Sequence, residues 1–130
     1  MINKKEIYHF INSIGFNLIE HNTSKYFGDY FDTFGNNILE LRFSKSKSFE
    51  TVDIRNLKDK EWYDLALVKA VLHDEEKLVK VNTIEEHTEF LKKEIEAINY
   101  LFTEQNYSST KKKLEDLGNQ RVNQMFKGKI

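Results

Sequence analysis

Residues 26–72 read YFGDYFDTFGNNILELRFSKSKSFETVDIRNLKDKEWYDLALVKAVL, and within them one periodicity replaces another. As far as Arg55, large side chains recur at every second position, the repeat of a strand with one face in a core. Leu39, Leu41 and Phe43 share one face, and Ile38, Glu40 and Arg42 share the other. Val52 and Ile54 repeat the inward pattern, with Thr51, Asp53 and Arg55 outward. Gly35-Asn36-Asn37 reads as the turn of a hairpin between residues 26–34 and this strand, and the polar residues 44–48 separate it from the next. From Trp62 to Leu72 apolar groups lie all round a helix that Asp59 can cap, and a helix without a polar stripe is expected to be buried.

Outward from that stretch the signals are helical. Residues 3–14 form a predicted helix: Asn3 caps it with Glu6 three residues on, Ile7, Phe10, Ile11 and Ile14 share a face, and Gly15 ends it. Phe16, Leu18 and Glu20 then open an extended segment. After a charged connection, Thr83 and Glu86 make a capping box for a long helix ending near Phe102. Ile84, Thr88, Leu91, Ile95, Ile98 and Phe102 form one stripe of it, with Phe90, Ala97 and Leu101 a second, so this helix should touch two neighbours. Ser109 or Thr110 can cap a last helix whose inner stripe is Leu114, Leu117, Gly118, Arg121 and Met125. This order predicts one α+β domain over residues 1–130: an antiparallel sheet of three to four strands after an N-terminal helix, covered by three C-terminal helices.

Composition narrows the function classes. With 39% hydrophobic and 32% charged residues, the chain is neither disordered nor fibrous. The absence of cysteine removes thiol chemistry, disulfides and thiolate metal sites. No 18-residue apolar run occurs and residues 1–20 lack the apolar centre of a signal peptide, so a cytoplasmic protein with no membrane partner is expected. A formal net charge of −1 offers no overall attraction to nucleic acid. The charges are nevertheless uneven: residues 84–104 carry six Glu against Lys92 and Lys93, a net −4, while residues 105–130 carry five Lys and Arg121 against Glu115 and Asp116, a net +4. Ion pairs between those two helices are the simplest expectation.

Reactive constellations are tested against their packing alternatives. The five glycines fit no phosphate-binding loop, no G-x-S-x-G elbow occurs, and His9, His21, His73 and His87 lack ligand spacing. Catalytic residues, metal ligands and cofactors are therefore predicted to be none, and the chain is expected not to be an enzyme. Two alternatives stay open. Asp29, Asp32, Glu40 and Asp53, with Arg42 and Arg55, would make a metal-dependent nuclease if they converged on a divalent ion. Tyr26, Phe27, Tyr30, Phe31 and Phe34 would make a stacking platform of a nucleic-acid-binding module, although Asp29 and Asp32 oppose phosphate; Lys111 to Lys113 are the other polyanion candidate. Arg121, inside an apolar stripe, is expected to snorkel or to meet a carboxylate of the acidic helix. Trp62 and Tyr63 are read as core.

Leu39-Glu40-Leu41-Arg42-Phe43, Thr51-Val52-Asp53-Ile54 and Glu61-Trp62-Tyr63-Asp64-Leu65, followed by a leucine- and valine-rich helix, resemble small uncharacterised bacterial proteins that include immunity proteins of polymorphic toxin systems. The resemblance implies a cytoplasmic domain that neutralises a toxin by covering it, and carries over no inhibitory residue. Glu85, Glu89 and Glu96 could steer a basic toxin, and with Tyr30 they form the predicted partner-binding set.

Overall fold

The computed structural model of the protein describes residues 4–23, 29–46, 49–79 and 81–127. Helix α1 (Lys4–Ser13) precedes strands β1 (Asn17–Thr23), β2 (Tyr30–Gly35), β3 (Leu39–Ser46), β4 (Phe49–Asn56) and β5 (Tyr63–Asp64); helices α2 (Leu65–His73), α3 (Ile84–Phe102) and α4 (Tyr107–Lys127) follow. The strands form one antiparallel sheet in sequence order. The α+β class is as predicted, but the sheet has five strands, not three to four. The additional one is β5, whose two residues pair with Asp53 and Ile54. A strand that short has no period to read.

Local chemistry sets the boundaries. Gly15 ends α1 at φ +92°, a conformation costly for any residue with a Cβ. Asn36 closes the β2–β3 turn, its Oδ1 accepting from the Ile38 and Leu39 N–H groups at 2.8 and 2.9 Å. The capping box of α3 forms as predicted, with Thr83 and Glu86 each satisfying the other's backbone N–H at 3.1 Å.

Three expected boundaries move. Helix α2 begins at Leu65 rather than behind Asp59, because the Asp64 carboxylate accepts from Ala66 N–H at 3.0 Å while Tyr63 and Asp64 gain ladder bonds to β4. Asp59 instead holds the Tyr107 hydroxyl and, at 3.0 Å, the Lys111 ammonium. Strand β3 runs on through Ser46, since Ser44, Lys45 and Ser46 still find partners in β4. Helix α4 starts at Tyr107, which leaves Thr110 inside it, donating its hydroxyl to the Leu101 carbonyl at 2.7 Å. The predicted cap Asn3 and the strand residues Tyr26, Phe27 and Gly28 lie outside the described residues.

The helices gather on one face of the sheet. Leu41, Phe43, Val52 and Ile54 meet Ile7 and Ile11 of α1, Leu65 and Val68 of α2, Leu91, Ile98 and Phe102 of α3, and Leu114 of α4 in one buried cluster. Phe34 packs edge-on against Tyr8 and Phe43, with ring centroids at 4.9 and 5.9 Å. Asp32 also points to this side, fully buried, where its carboxylate holds His21 of the edge strand. Strand alternation sends every second side chain to the opposite face, on which none of the core clusters.

Candidate partner-binding face of the sheet

The outward rows follow from the register. Glu20, Thr33, Arg42, Asp53 and Asp64 are successive cross-strand neighbours, flanked by Gly35-Glu40-Arg55 on one side and Phe31-Ser44-Thr51 on the other. Cross-strand neighbours lie close enough for their side chains to interact in pairs. Here Arg42 lies beside Asp53 and Arg55 beside Glu40, so opposite charges meet at the centre of the face, while Asp53 and Asp64 set two carboxylates side by side at its edge. Arg55 Nε donates to Glu40 Oε1 at 3.0 Å, and Arg42 Nε to the Thr33 hydroxyl at 3.4 Å.

Trp62, in the connection leading to β5, lies over this face. The guanidiniums of Arg42 and Arg55 stand 4.2 and 4.4 Å from its ring centroid, and Arg42 also stacks on Phe31 at 4.7 Å. Each such contact contributes about 0.5–1 kcal/mol at an exposed site. Together they hold an indole, two planar cations and a phenyl ring in a fixed array that remains partly open to solvent. Trp62 is thus not core, contrary to expectation: with the helix starting only at Leu65, an extended Trp62 follows the sheet surface.

Beside this array two carboxylates meet across β4 and β5. Burial and the neighbouring Asp64 push Asp53 up to about 6, against the pull of Arg42 and Arg121. Its folded value lies above the ordinary aspartate value of 3.8, so the native state keeps the extra proton between those values, and ionised Asp53 opposes folding above them. Asp53→Asn is therefore expected to stabilise the protein by about 1–2 kcal/mol near pH 7, after allowance for solvent screening, and to do little near pH 4. Denaturant midpoints at the two pH values check this, and a variant equally stable to wild type at both would refute it.

The structure divides the residues that the sequence singled out. Asp32 faces the core while Glu40 and Asp53 face outward, so alternation parts the proposed nuclease acids; among the described residues no three His, Asp or Glu side chains form a group able to hold a metal. The aromatic run splits likewise: Phe34 is core, Phe31 joins the outer array, and Tyr26 and Phe27 fall outside the described residues. Tyr30 lines a cleft of about 440 Å³ with Phe31, Ser44 and Lys45, and burial, then Glu50, raise its hydroxyl pKa. Glu89 and Glu96 are exposed and Glu85 half-buried on α3, which packs against the other side of the sheet.

The predicted pairing of acidic α3 with basic α4 is replaced by another. Lys111 and Arg121 of α4 meet Asp59 and Asp64 of the β4–β5 region, at 3.0 and 2.9 Å. Arg121 accordingly has its carboxylate, but from the start of α2 and not from the acidic helix. The reason is packing: Leu114 and Leu117 turn that side of α4 toward α2, beside the segment that carries Asp59 and Asp64. His87 is buried, and desolvation lowers its pKa; His73 pairs with Glu94. Trp62 is the residue that sequence reasoning placed wrongly; the signal available was its position two residues before Asp64, itself a good helix cap.

No family model, curated protein or solved structure matches the chain. Among the described residues no helix is long and apolar enough to cross a membrane.

Proposed function

We propose that this chain is a protein-binding domain that engages its partner through the outward face of the sheet, with Trp62, Arg42, Arg55 and Phe31 at the centre of contact. The observation that carries the reading is the Trp62 array: Trp and Arg dominate the energetics of protein interfaces, and here they are fixed in place before binding. A rigid, polar-rimmed face suits occlusion of a partner. Among partner classes, a toxin domain in the bacterial cytoplasm is the one that the likeness to immunity proteins implies, and Glu85, Glu89 and Glu96 on α3 then serve to steer a basic partner rather than to anchor it.

Trp62 is the chain's one tryptophan, so its fluorescence reads the site directly. The tagged protein is used to capture stoichiometric partners from its source cells, and each is titrated while Trp62 emission is followed. Saturable quenching at one-to-one stoichiometry is expected, with binding weakened about 30- to 100-fold by Arg42→Ala in the same titration and by Trp62→Ala in calorimetry. Glu89→Lys with Glu96→Lys should slow association and leave dissociation unchanged. Binding indifferent to both Trp62→Ala and Arg42→Ala would refute the reading, as would magnesium-dependent cleavage of nucleic acid that Asp53→Ala abolishes.

A further inference from the structure

Where β5 stops, the sheet is left with an open edge. Strand β5 pairs only with Asp53 and Ile54, and at Leu65 the chain turns into α2. Beside residues 49–52, therefore, the edge of β4 away from β3 carries no strand among the described residues. In an antiparallel ladder every second residue turns its N–H and C=O to such an edge, where they are ready to pair with another chain. A groove of about 410 Å³ follows this edge: Phe49, Glu50 and Thr51 all line it. Successive side chains of a strand point to opposite faces, so a groove that touches three in a row runs along the strand's side.

The rest of the wall is mostly apolar, anchored, and interrupted by one buried imidazole. Val79, Val81 and Met125 line the groove and are exposed. Gln124 of α4 accepts from Leu78 N–H at 2.8 Å and donates to the Glu76 carbonyl at 2.7 Å, which fixes the connection that carries the two valines. His87 also lines the groove; it is 5% exposed, and its ring makes no hydrogen bond among the described residues. Burial lowers its pKa, so near pH 7 the neutral ring offers one N–H and one acceptor nitrogen. Such a group is costly to leave unpaired, and a ligand that supplies its partner gains accordingly. Of the charged lining residues, Asp64 and Arg121 pair with each other at 2.9 Å, whereas Glu50 forms no ion pair among the described residues. One negative charge is thus left uncompensated.

We infer that this edge binds an extended peptide segment, which continues the line of β5 alongside β4 and carries apolar residues at alternate positions with a lysine or arginine beside Glu50. Three features select that occupant. Only an extended backbone meets unpaired groups at ladder spacing, and about four residues span the open stretch. The apolar wall receives alternate side chains, as specificity pockets do in strand addition. Glu50 favours the basic residue, and a side chain or peptide group of the segment completes His87. The inference goes beyond the sheet-face reading: groove and face share Thr51 and Asp64, but Trp62, Arg42, Arg55 and Phe31 do not line the groove.

Selection of phage-displayed random decapeptides on the immobilised full chain tests it, the strongest binders being synthesised and titrated into the ¹⁵N-labelled protein. Sequences with alternating apolar residues next to Lys or Arg are expected, and their binding should slow amide exchange at residues 49–52. His87→Phe and Glu50→Lys should each weaken binding about 10-fold or more, the second at an exposed position where folding is not at stake, and Trp62→Ala should leave it unchanged. Failure to select any peptide with Kd below about 100 μM overturns the proposal. So do peptides whose affinity Trp62→Ala destroys, or peptides indifferent to both His87→Phe and Glu50→Lys. Protection of residues 49–52 that rises with the concentration of the free chain would assign the edge to a second copy and overturn it as well.

Discussion

Replacing Phe34 by alanine is expected to lower the unfolding free energy by about 3–5 kcal/mol, the usual result of emptying a large buried site. Phe34 is 1% exposed, lies opposite Leu18 and Leu41 in the ladder, and meets both the Tyr8 ring of α1 and the Phe43 ring of β3. Its loss would open a cavity where three elements join, one that neighbours held by the sheet cannot collapse to fill. Set against a total of about 5–15 kcal/mol, that leaves a protein close to unfolding at physiological temperature. Urea denaturation measures it, and a cost under about 1 kcal/mol would show that the α1–sheet contact is not part of the core.

Asp64→Ala is expected to be the next most damaging change described, at about 2 kcal/mol. One carboxylate oxygen caps α2, a contribution of about 1 kcal/mol. The other meets Arg121 at 2.9 Å in a partly exposed pair worth up to about 1 kcal/mol. Asp64→Asn keeps an oxygen for the cap and loses the ion pair, so it should cost about half as much. Both variants remove the charge that helps to raise Asp53, so the Asp53 titration should move down from about 6. Stability followed across pH reports both effects; equal losses in the two variants would show that the cap contributes nothing.

Much of the fold was legible because its signals are local. Period-2 alternation at residues 38–43 and 51–55 placed Leu39, Leu41, Phe43, Val52 and Ile54 on the inward face, where they are buried. The capping box at Thr83 and Glu86 and the break at Gly15 were likewise readable, since each depends on residues within a few positions. The errors fall where distant contacts compete with local ones. Trp62 to Leu72 was read as one helix because an apolar run does not record where a chain turns; pairing of Tyr63 and Asp64 with β4 decides it. For the same reason the ends of β3 and α4 lay beyond reach, their extra residues being held by partners on β4 and α3.

The candidate site was legible in its parts and not in its assembly. Arg42, Asp53 and Arg55 were correctly assigned to an outward face, yet their neighbours were not, because register across strands is set by turns and by burial of the other face. Tyr30 and the acids of α3 were chosen for residue type alone, and the structure gives them different surroundings from the Trp62 array.

The sequence by itself determined the class of fold, which side of β3 and β4 enters the core, and that neither a glycine-rich phosphate loop, a G-x-S-x-G elbow nor an H-E-x-x-H pair is spelled out along the chain. These are consequences of periodicity and spacing, which are properties of neighbouring residues. Tertiary structure alone decided that Trp62 lies over Arg42 and Arg55, that Arg121 and Lys111 take their acids from the β4–β5 region, and that Phe49 and Met125 border one groove. Trp62 with Arg55 aside, such pairings join residues 20 to 76 positions apart. They depend on how helices seat upon the sheet, and that seating is settled by the packing of the whole core.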